Sequence, residues 1–525
     1  MALPKVFGIE TEYGILHAGV ADPNPIAASS VLINAYISDV ARRAEASGGS
    51  EPKVGWDFED ESPGRDARGF AQSGSMPPEV ETHLVNAVLT NGARYYVDHA
   101  HPEYSSPECS NPREIVVWDK AGELILQRSM EAAVRLLPPG QSIVVHKNNS
   151  DRKGNSYGCH ENYLMDRMVP FPRIVQQVMP HFVTRQIYTG AGKVGTEAAN
   201  TGGVDVTFQL TQRADFFEEE VGLETTLKRP IVNTRDEPHA DAQKYRRLHV
   251  ICGDANLAEV STFLKVGVTA IILSMIEDDW FGADGPAGPG GRDFTLAAPV
   301  FAMRQVSYDL GLDLPLELAA GTTISALEMQ WELFGLARKY ADERGLECVG
   351  SDDVGRDVLA RWEHVLHGLE TDPLSLATEL DWVAKYQIIN GYRERHDLSW
   401  HDAKLANMDL QYHDLRPAKS LFARLPMTRV VTDDEVRDAV TEPPVTTRAY
   451  FRGKCLQRFA PAIAAANWDS MVFDLSPHKE TLQRVPMMEP LRGTAAIVDR
   501  LFEGCESPVE LFERAGWLSR PSGDG

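Results

Sequence analysis

Apolar and polar positions along this chain predict short alternating strands set among amphipathic helices. Residues 5–15 alternate with period two. Phe7, Ile9, Thr11, Tyr13 and Ile15 share one face; Gly8, Glu10, Glu12 and Gly14 share the other. After the turn signal Asn91-Gly92, residues 93–98 alternate again. Ala93, Tyr95 and Val97 make an apolar face, and Arg94, Tyr96 and Asp98 a polar one, with Glu103 beyond a bend. Residues 142–146, 156–164, 204–210 and 245–251 are further strands. His160 and Asn162 share a face of the 156–164 strand, and Arg247, His249 and Ile251 share a face of the 245–251 strand. Helical spacing covers residues 30–45, 118–137, a mostly apolar stretch ending at Met275, 323–344, 354–369 and 380–392.

Some segments break the pattern. Residues 46–78 are rich in Gly, Ser, Pro and acid, show neither period, and far exceed a typical connection of about 4–6 residues. Two aromatics inside the acidic run Trp56-Asp57-Phe58-Glu59-Asp60-Glu61 suggest a segment that docks in a groove. The formal G-x-G-x-x-G at 190–195 follows a helical pattern rather than a strand, so it reads as a glycine-capped helix end. Residues 227–239 read as a polar, Pro-bounded loop, and 282–291 as a surface loop. Beyond Pro443-Pro444, Arg448, Tyr450 and Arg452 read as one strand face. Asn467-Trp468-Asp469 and a helix at 495–502 follow, then a disordered tail at 520–525. The expected division is a catalytic domain over 1–430 and a small C-terminal domain over 431–525.

At 525 residues with a formal charge of −24, the chain is acidic enough to argue against duplex nucleic acid or an anionic membrane as partner. Its six cysteines are scattered without a Cys-x-x-Cys pair, which fits free thiols in a cytoplasmic protein. The N-terminus lacks a signal-peptide pattern, and the apolar run 263–276 is short for a bilayer and holds Lys265.

The strand faces carry the chemistry. Glu10 and Glu12 would lie about 7 Å apart on one side of a strand, where a divalent cation relieves their repulsion. Added to Tyr96, Asp98, Glu103, His160 and His249, they make an oxygen and imidazole set suited to magnesium or manganese holding a nucleoside triphosphate. Arg94 and Arg247 would neutralise phosphate. Asp98 is the candidate nucleophile or general base.

Gly-Ile-Glu-Thr-Glu-Tyr-Gly at 8–14, Asn-Gly-Ala-Arg-Tyr-Tyr-Val-Asp at 91–98, His-Pro-Glu-Tyr at 101–104, Asn-Ser-Tyr-Gly-Cys-His-Glu-Asn-Tyr at 155–163, Arg-Leu-His-Val-Ile-Cys-Gly-Asp-Ala-Asn at 247–256 and Asn-Trp-Asp at 467–469 closely resemble the enzymes of prokaryotic ubiquitin-like protein (Pup) modification. The resemblance implies an α+β, glutamine synthetase-like fold. A curved antiparallel sheet flanked by helices would cradle ATP (or ADP plus phosphate) and Mg2+, beside a small C-terminal domain. It implies Pup and pupylated proteins as partners, and a link to the bacterial proteasome. The insert, with Gly55-Trp56-Asp57-Phe58-Glu59-Asp60-Glu61-Ser62-Pro63-Gly64-Arg65, and Tyr13 after the second glutamate resemble the branch that deamidates Pup and cleaves it from modified proteins.

By the same resemblance, Glu10, Tyr96, Glu103, His160 and His249 would hold magnesium. Gly8, Arg94, Ser105, Ser106, Asn162, Arg247, Ile251 and Trp468 would bind the nucleotide. Asp98 would attack the terminal amide of Pup, or activate water to do so. Arg213, Arg229 and Arg235 are candidates for a groove that takes acidic Pup. The rival expectations are the Pup-ligating branch of the same family, an ATP-dependent small-molecule carboxylate–amine ligase, and a non-catalytic Pup adaptor.

Overall fold

The alternating segments come together in one antiparallel sheet. The structure, a computed structural model, describes residues 1–46, 54–59, 61–62, 64–69, 85–198, 201–282 and 293–515. Its first strands are β1 (Phe7–Glu12), β2 (Gly14–Ala18), β3 (Gly55–Trp56), β4 (Asn86–Val88), β5 (Arg94–Asp98), β6 (His101–Ser105), β7 (Ser142–His146) and β8 (Cys159–Asp166). The six-stranded sheet runs Tyr245–Val250, β8, β1, β6, β5, β4. Its register sets Glu10 beside both His160 and Ser105, Glu12 beside Glu103, Tyr96 beside Glu103, and His249 beside Asn162. Directly paired residues point to the same face, so this register gathers the polar residues of five strands on one side.

The opposite side is core. Ile9, Tyr95, Val97 and Tyr104 are buried there beneath helices Pro25–Ala46, Pro112–Ala133 and Glu259–Glu277. The second helix begins ahead of its apolar pattern because Asn111 caps it, accepting a hydrogen bond from the Glu114 N–H at 2.9 Å, with Pro112 in the first turn. Helix Glu259–Glu277 is long and apolar enough to cross a membrane, but its apolar window is 100% buried inside the protein. A Cβ on its Gly267 would meet Val358 at 2.5 Å, so that glycine lets helix Asp352–Thr371 pack close.

Several segments depart from the expected pattern. The predicted strand 5–15 breaks at Tyr13, and β2 leaves the sheet to pair with β7. A Cβ at Gly14 would meet the Tyr157 hydroxyl at 2.4 Å, so only glycine fits at the break. The 204–210 strand shrinks to Phe208–Gln209. The 227–239 loop contains a strand, Arg229–Asn233, lying parallel to Phe217–Gly222. A helix does end at Thr189, but Gly190 is extended, with φ −68°, rather than a left-handed cap. Its missing Cβ would strike the Leu210 carbonyl at 2.1 Å, so close backbone approach explains the glycine. Arg448, Tyr450 and Arg452 flank or lie in a helix, Ala449–Phe459, not a strand. Phe451, Cys455 and Phe459 are buried at four-residue intervals, and that period overrides a three-residue alternation. The expected tail at 520–525, most of the 282–291 loop and much of the 46–78 insert lie outside the described residues.

The second, smaller core gathers Phe451, Leu456, Met471, Phe473 and Val498 with Val54, Trp56 and Val88 from the N-terminal half. Its sheet runs Gln483–Pro486, Ser470–Phe473, Ile463–Ala466, then β3, which joins in parallel. The larger core continues through Val431, Val436 and Val440. The 46–78 insert is therefore not a free loop throughout: a short piece of it closes the C-terminal sheet.

Candidate functional site

The polar face of the main sheet forms the floor of one continuous cleft. Its inner end is lined by Gly8, Ser105, Ser106, Asn162, Arg247 and Trp468. Its outer end is lined by Arg94, Tyr96, Asp98, Glu103, His160 and Arg235. Glu10, Ser105, His239, Arg247 and Trp468 belong to both ends and join them. Every predicted nucleotide residue except Ile251 reaches this cleft. The strand stops at Val250, and Ile251 turns into the large core with 0% exposure.

Asn162 is the hub of the floor. Its amide donates to Glu10 at 2.9 Å, and its oxygen accepts from Arg247 at 2.9 Å and lies 3.0 Å from His249 Nδ1. Arg247 is steadied from behind by donating to the Glu237 carbonyl at 2.7 Å. Glu10 also faces His160 Nδ1 at 3.5 Å. Burial pushes the Glu10 carboxyl up, but the His160 hydrogen bond and the charges of His249 and Arg247 outweigh it and hold it well below the usual range. Glu12 shows the same balance. Burial opposes ionisation, yet His101, His160 and the Gly158 N–H, which donates to Glu12 at 2.8 Å, bring it down to about 2.

Glu103 goes the other way. Burial, then the charges of Asp98, Glu12 and Glu10, push its carboxyl well above the ordinary value. Tyr96 donates to it at 2.5 Å. Among the described residues, two groups each bring potential ligand atoms within 4.8 Å of one another: Glu10, His160 and His249 in one, Glu12, Asp98 and Glu103 in the other. His249 Nε2 is buried and, among the described residues, without a hydrogen-bond partner; burial, then the Arg247 charge, push its pKa well below the usual imidazole value. An unpartnered imidazole nitrogen beside carboxylates too crowded to ionise together is a donor set that fits a divalent cation.

Asp98 ends β5 at the outer mouth, opposite His101. Arg94, two pleats back, is sandwiched: its guanidinium carbon lies 4.0 Å from the Trp56 ring centroid and 3.9 Å from that of Tyr96. Its Nε donates to Asn86 at 3.0 Å. The described part of the insert around Trp56 and Phe58 is docked in the groove, as its aromatics suggested. Trp56 meets Trp468 edge-on with centroids 5.1 Å apart and donates to Glu61 at 2.5 Å, while Phe58 and Glu61 line the outer cleft. A second anchor follows, where Ala67 N–H donates to the Thr234 carbonyl at 2.8 Å and Asp236 N–H to that of Arg65 at 2.9 Å.

Alternation alone missed one wall. Glu108 pairs with Arg448 at 2.7 Å and also with Arg452, and both Glu108 and Arg448 line the inner cavity. Arg452 donates to the Trp468 carbonyl at 3.0 Å, fixing that ring's strand turn. Reading 448–452 as a strand hid this wall, because a strand would set Tyr450 on the face of Arg448 and Arg452, whereas a helical turn brings the two arginines together on Glu108 and turns Tyr450 away to Asp499. Of the expected groove arginines, only Arg235 lines the cleft. Arg213 is 1% exposed and donates to the Ile251 carbonyl, and Arg229 is held by the carbonyls of Thr225 and Ser156.

Comparison with known proteins places this architecture. The family model described as Pup-ligase protein matches residues 5–472. The chain is 52% identical to the depupylase of Acidothermus cellulolyticus, over 97% of this chain and 98% of that one. It is 47% identical to the Pup deamidase/depupylase of Mycobacterium tuberculosis, over 98% and 99%. It is 36% identical to the Pup–protein ligase of Sanguibacter keddieii, over 96% and 100%. The crystal structure of the ligase PafA in complex with Pup superposes with a TM-score of 0.75 at 31% identity, covering 99% of this chain and 98% of that one. The ligase in complex with ADP gives 0.70 at 37% identity, covering 80% and 90%. With its antiparallel sheet, flanking helices and nearly full-length match, the chain belongs to the Pup-ligase protein family.

Proposed function

We propose that this chain is a nucleotide-dependent amidohydrolase that converts the C-terminal glutamine of Pup to glutamate and cleaves the isopeptide bond between Pup and lysines of modified proteins. The observation that carries this reading is Asp98 at the mouth of a cleft built like a nucleotide site, in a chain more identical to depupylases than to the ligase relative. Both reactions break an amide bond at the same side-chain carbonyl carbon, so one site serves for both.

The inner cavity takes the nucleotide. Gly8 leaves open floor, Ser105 and Ser106 offer hydroxyls, Arg247 supplies positive charge, and Trp468 offers a ring face. Glu10, Tyr96, Glu103, His160 and His249 would hold magnesium, which when bound supplies charge that neutralises phosphate oxygens. The ADP complex of the ligase relative supports a nucleotide in this cavity.

Chemistry belongs to Asp98. In one route its carboxylate attacks the amide carbon and the carbon–nitrogen bond breaks. The leaving nitrogen takes a proton and departs as ammonia or the lysine amine. Water then hydrolyses the aspartyl anhydride and restores the carboxylate. In the other route Asp98 takes a proton from the water that attacks directly. Positive charge around the cleft favours the oxyanion in either route. The partners are Pup and pupylated proteins, with a functional link to the bacterial proteasome, in a cytoplasm that keeps cysteines reduced.

Incubating glutamine-terminated Pup with the chain, nucleotide and magnesium tests the reading. Ammonia release supports it. Inertness combined with nucleotide-driven conjugation of glutamate-terminated Pup would move the chain to the ligase branch.

A further inference from the structure

The hairpin between β5 and β6 turns through two residues, His99 and Ala100. Two-residue hairpins call for positive φ at the first central position, where glycine is the usual occupant. Here that residue is His99, with φ +50°. A bulky side chain in this region is uncommon, and such backbone outliers cluster at functional sites. The turn is pinned in place, because the Ser29 hydroxyl on the neighbouring helix donates to the Ala100 carbonyl at 2.9 Å.

In this conformation His99 Nδ1 lies 2.8 Å from Asp98 Oδ2. A carboxylate can only accept, so Nδ1 carries the proton and donates. Both side chains line the outer cleft. The Asp98 side chain keeps 30% of its surface exposed, so packing alone does not fix the plane of its carboxylate.

Building on the hydrolase reading above, we propose that His99 is the positioning residue for Asp98. Its N–H holds Oδ2, and Oδ1 is then the oxygen presented to the amide carbon or to the attacking water. The left-handed turn residue exists to bring the imidazole back over the carboxylate that precedes it. Orientation of this kind acts on kcat, because it aims the reacting oxygen rather than supplying substrate affinity.

Two substitutions separate this role from a merely structural one. His99→Gly keeps the turn, since glycine adopts positive φ freely, and removes the donor. His99→Asn also tolerates the left-handed region, and its Nδ2 sits where Nδ1 of histidine does and can donate. Initial rates of ammonia release from glutamine-terminated Pup, with nucleotide titrations alongside, give kcat and KM for each. The expected result for His99→Gly is a fall in kcat of about 10- to 100-fold with KM and nucleotide affinity little changed. His99→Asn should restore most of that loss. Wild-type kcat in the glycine variant, or no recovery with asparagine, would overturn the proposal while wild-type activity upholds the hydrolase reading. An inactive wild type would overturn both.

Discussion

At the residue scale, the cleft separates groups that bind from the group that reacts. Glu10, Asn162, Arg247 and His249 form one hydrogen-bonded floor, whereas Asp98, at the end of β5, takes no part in those hydrogen bonds. Asp98→Asn should therefore reduce ammonia release by about 10²–10⁴-fold while leaving nucleotide affinity close to wild type. Paired rate and calorimetric measurements check both halves, and full activity would remove Asp98 from the mechanism. Asn162→Ala should do the opposite. It strips partners from Glu10, Arg247 and His249 together, so nucleotide affinity should fall by about 10-fold or more, as expected for hydrogen bonds to charged groups. These residues were legible in the sequence because alternation fixes which side chains share a face. Ile251 was misplaced because alternation cannot tell where a strand stops.

At the element scale, the least legible parts are those whose partners lie far away in the chain. β3 has only two residues and no period to detect, and it is a strand because Ile463–Ala466 offers it an edge. Trp56 then braces Trp468 on the cavity wall. Trp56→Ala should weaken nucleotide binding about 2- to 10-fold through loss of that aromatic pair, measurable by titration; unchanged affinity would make the docking incidental.

Helix Ala449–Phe459 is held to the sheet by Glu108. Burial opposes its ionisation, but Arg452 and Arg448 outweigh burial and bring the carboxyl from 4.5 to about 2. A group lowered on folding stabilises fully above its unfolded value, and that stabilisation is lost as pH falls through the folded one. Glu108→Gln should cost about 3–5 kcal/mol in urea denaturation at neutral pH, because two guanidiniums lose their counter-charge. The difference from wild type should shrink as the pH is taken from about 4.5 towards 2.

At the scale of the whole molecule, the cavity is shared between two cores. Gly8, Ser105 and Asn162 come from the large one, and Arg448, Trp468 and Pro490 from the C-terminal part. Ending the chain after Glu442 should therefore abolish saturable nucleotide binding even if the main sheet folds, and a titration of the truncated protein checks it. Four of the six strands of the main sheet, its covering helices and the identity of the polar face were readable from local patterns. The junction was not. It depends on contacts such as Glu108 with Arg448 and Trp56 with Trp468, which join residues with no local relation in sequence.

The parallel pairing of β3 with Ile463–Ala466 also orders events in time. Ribosomes make Gly55 and Trp56 long before the strands that will receive them. The C-terminal sheet cannot close until residues 463–486 emerge and meet the early segment. A C-terminal fragment produced by itself would carry an open edge, and supplying a short peptide spanning Val54 to Phe58 should help to seal it. Synthesis thus ties a late segment of the chain to a much earlier one, beside Trp468 on the cavity wall.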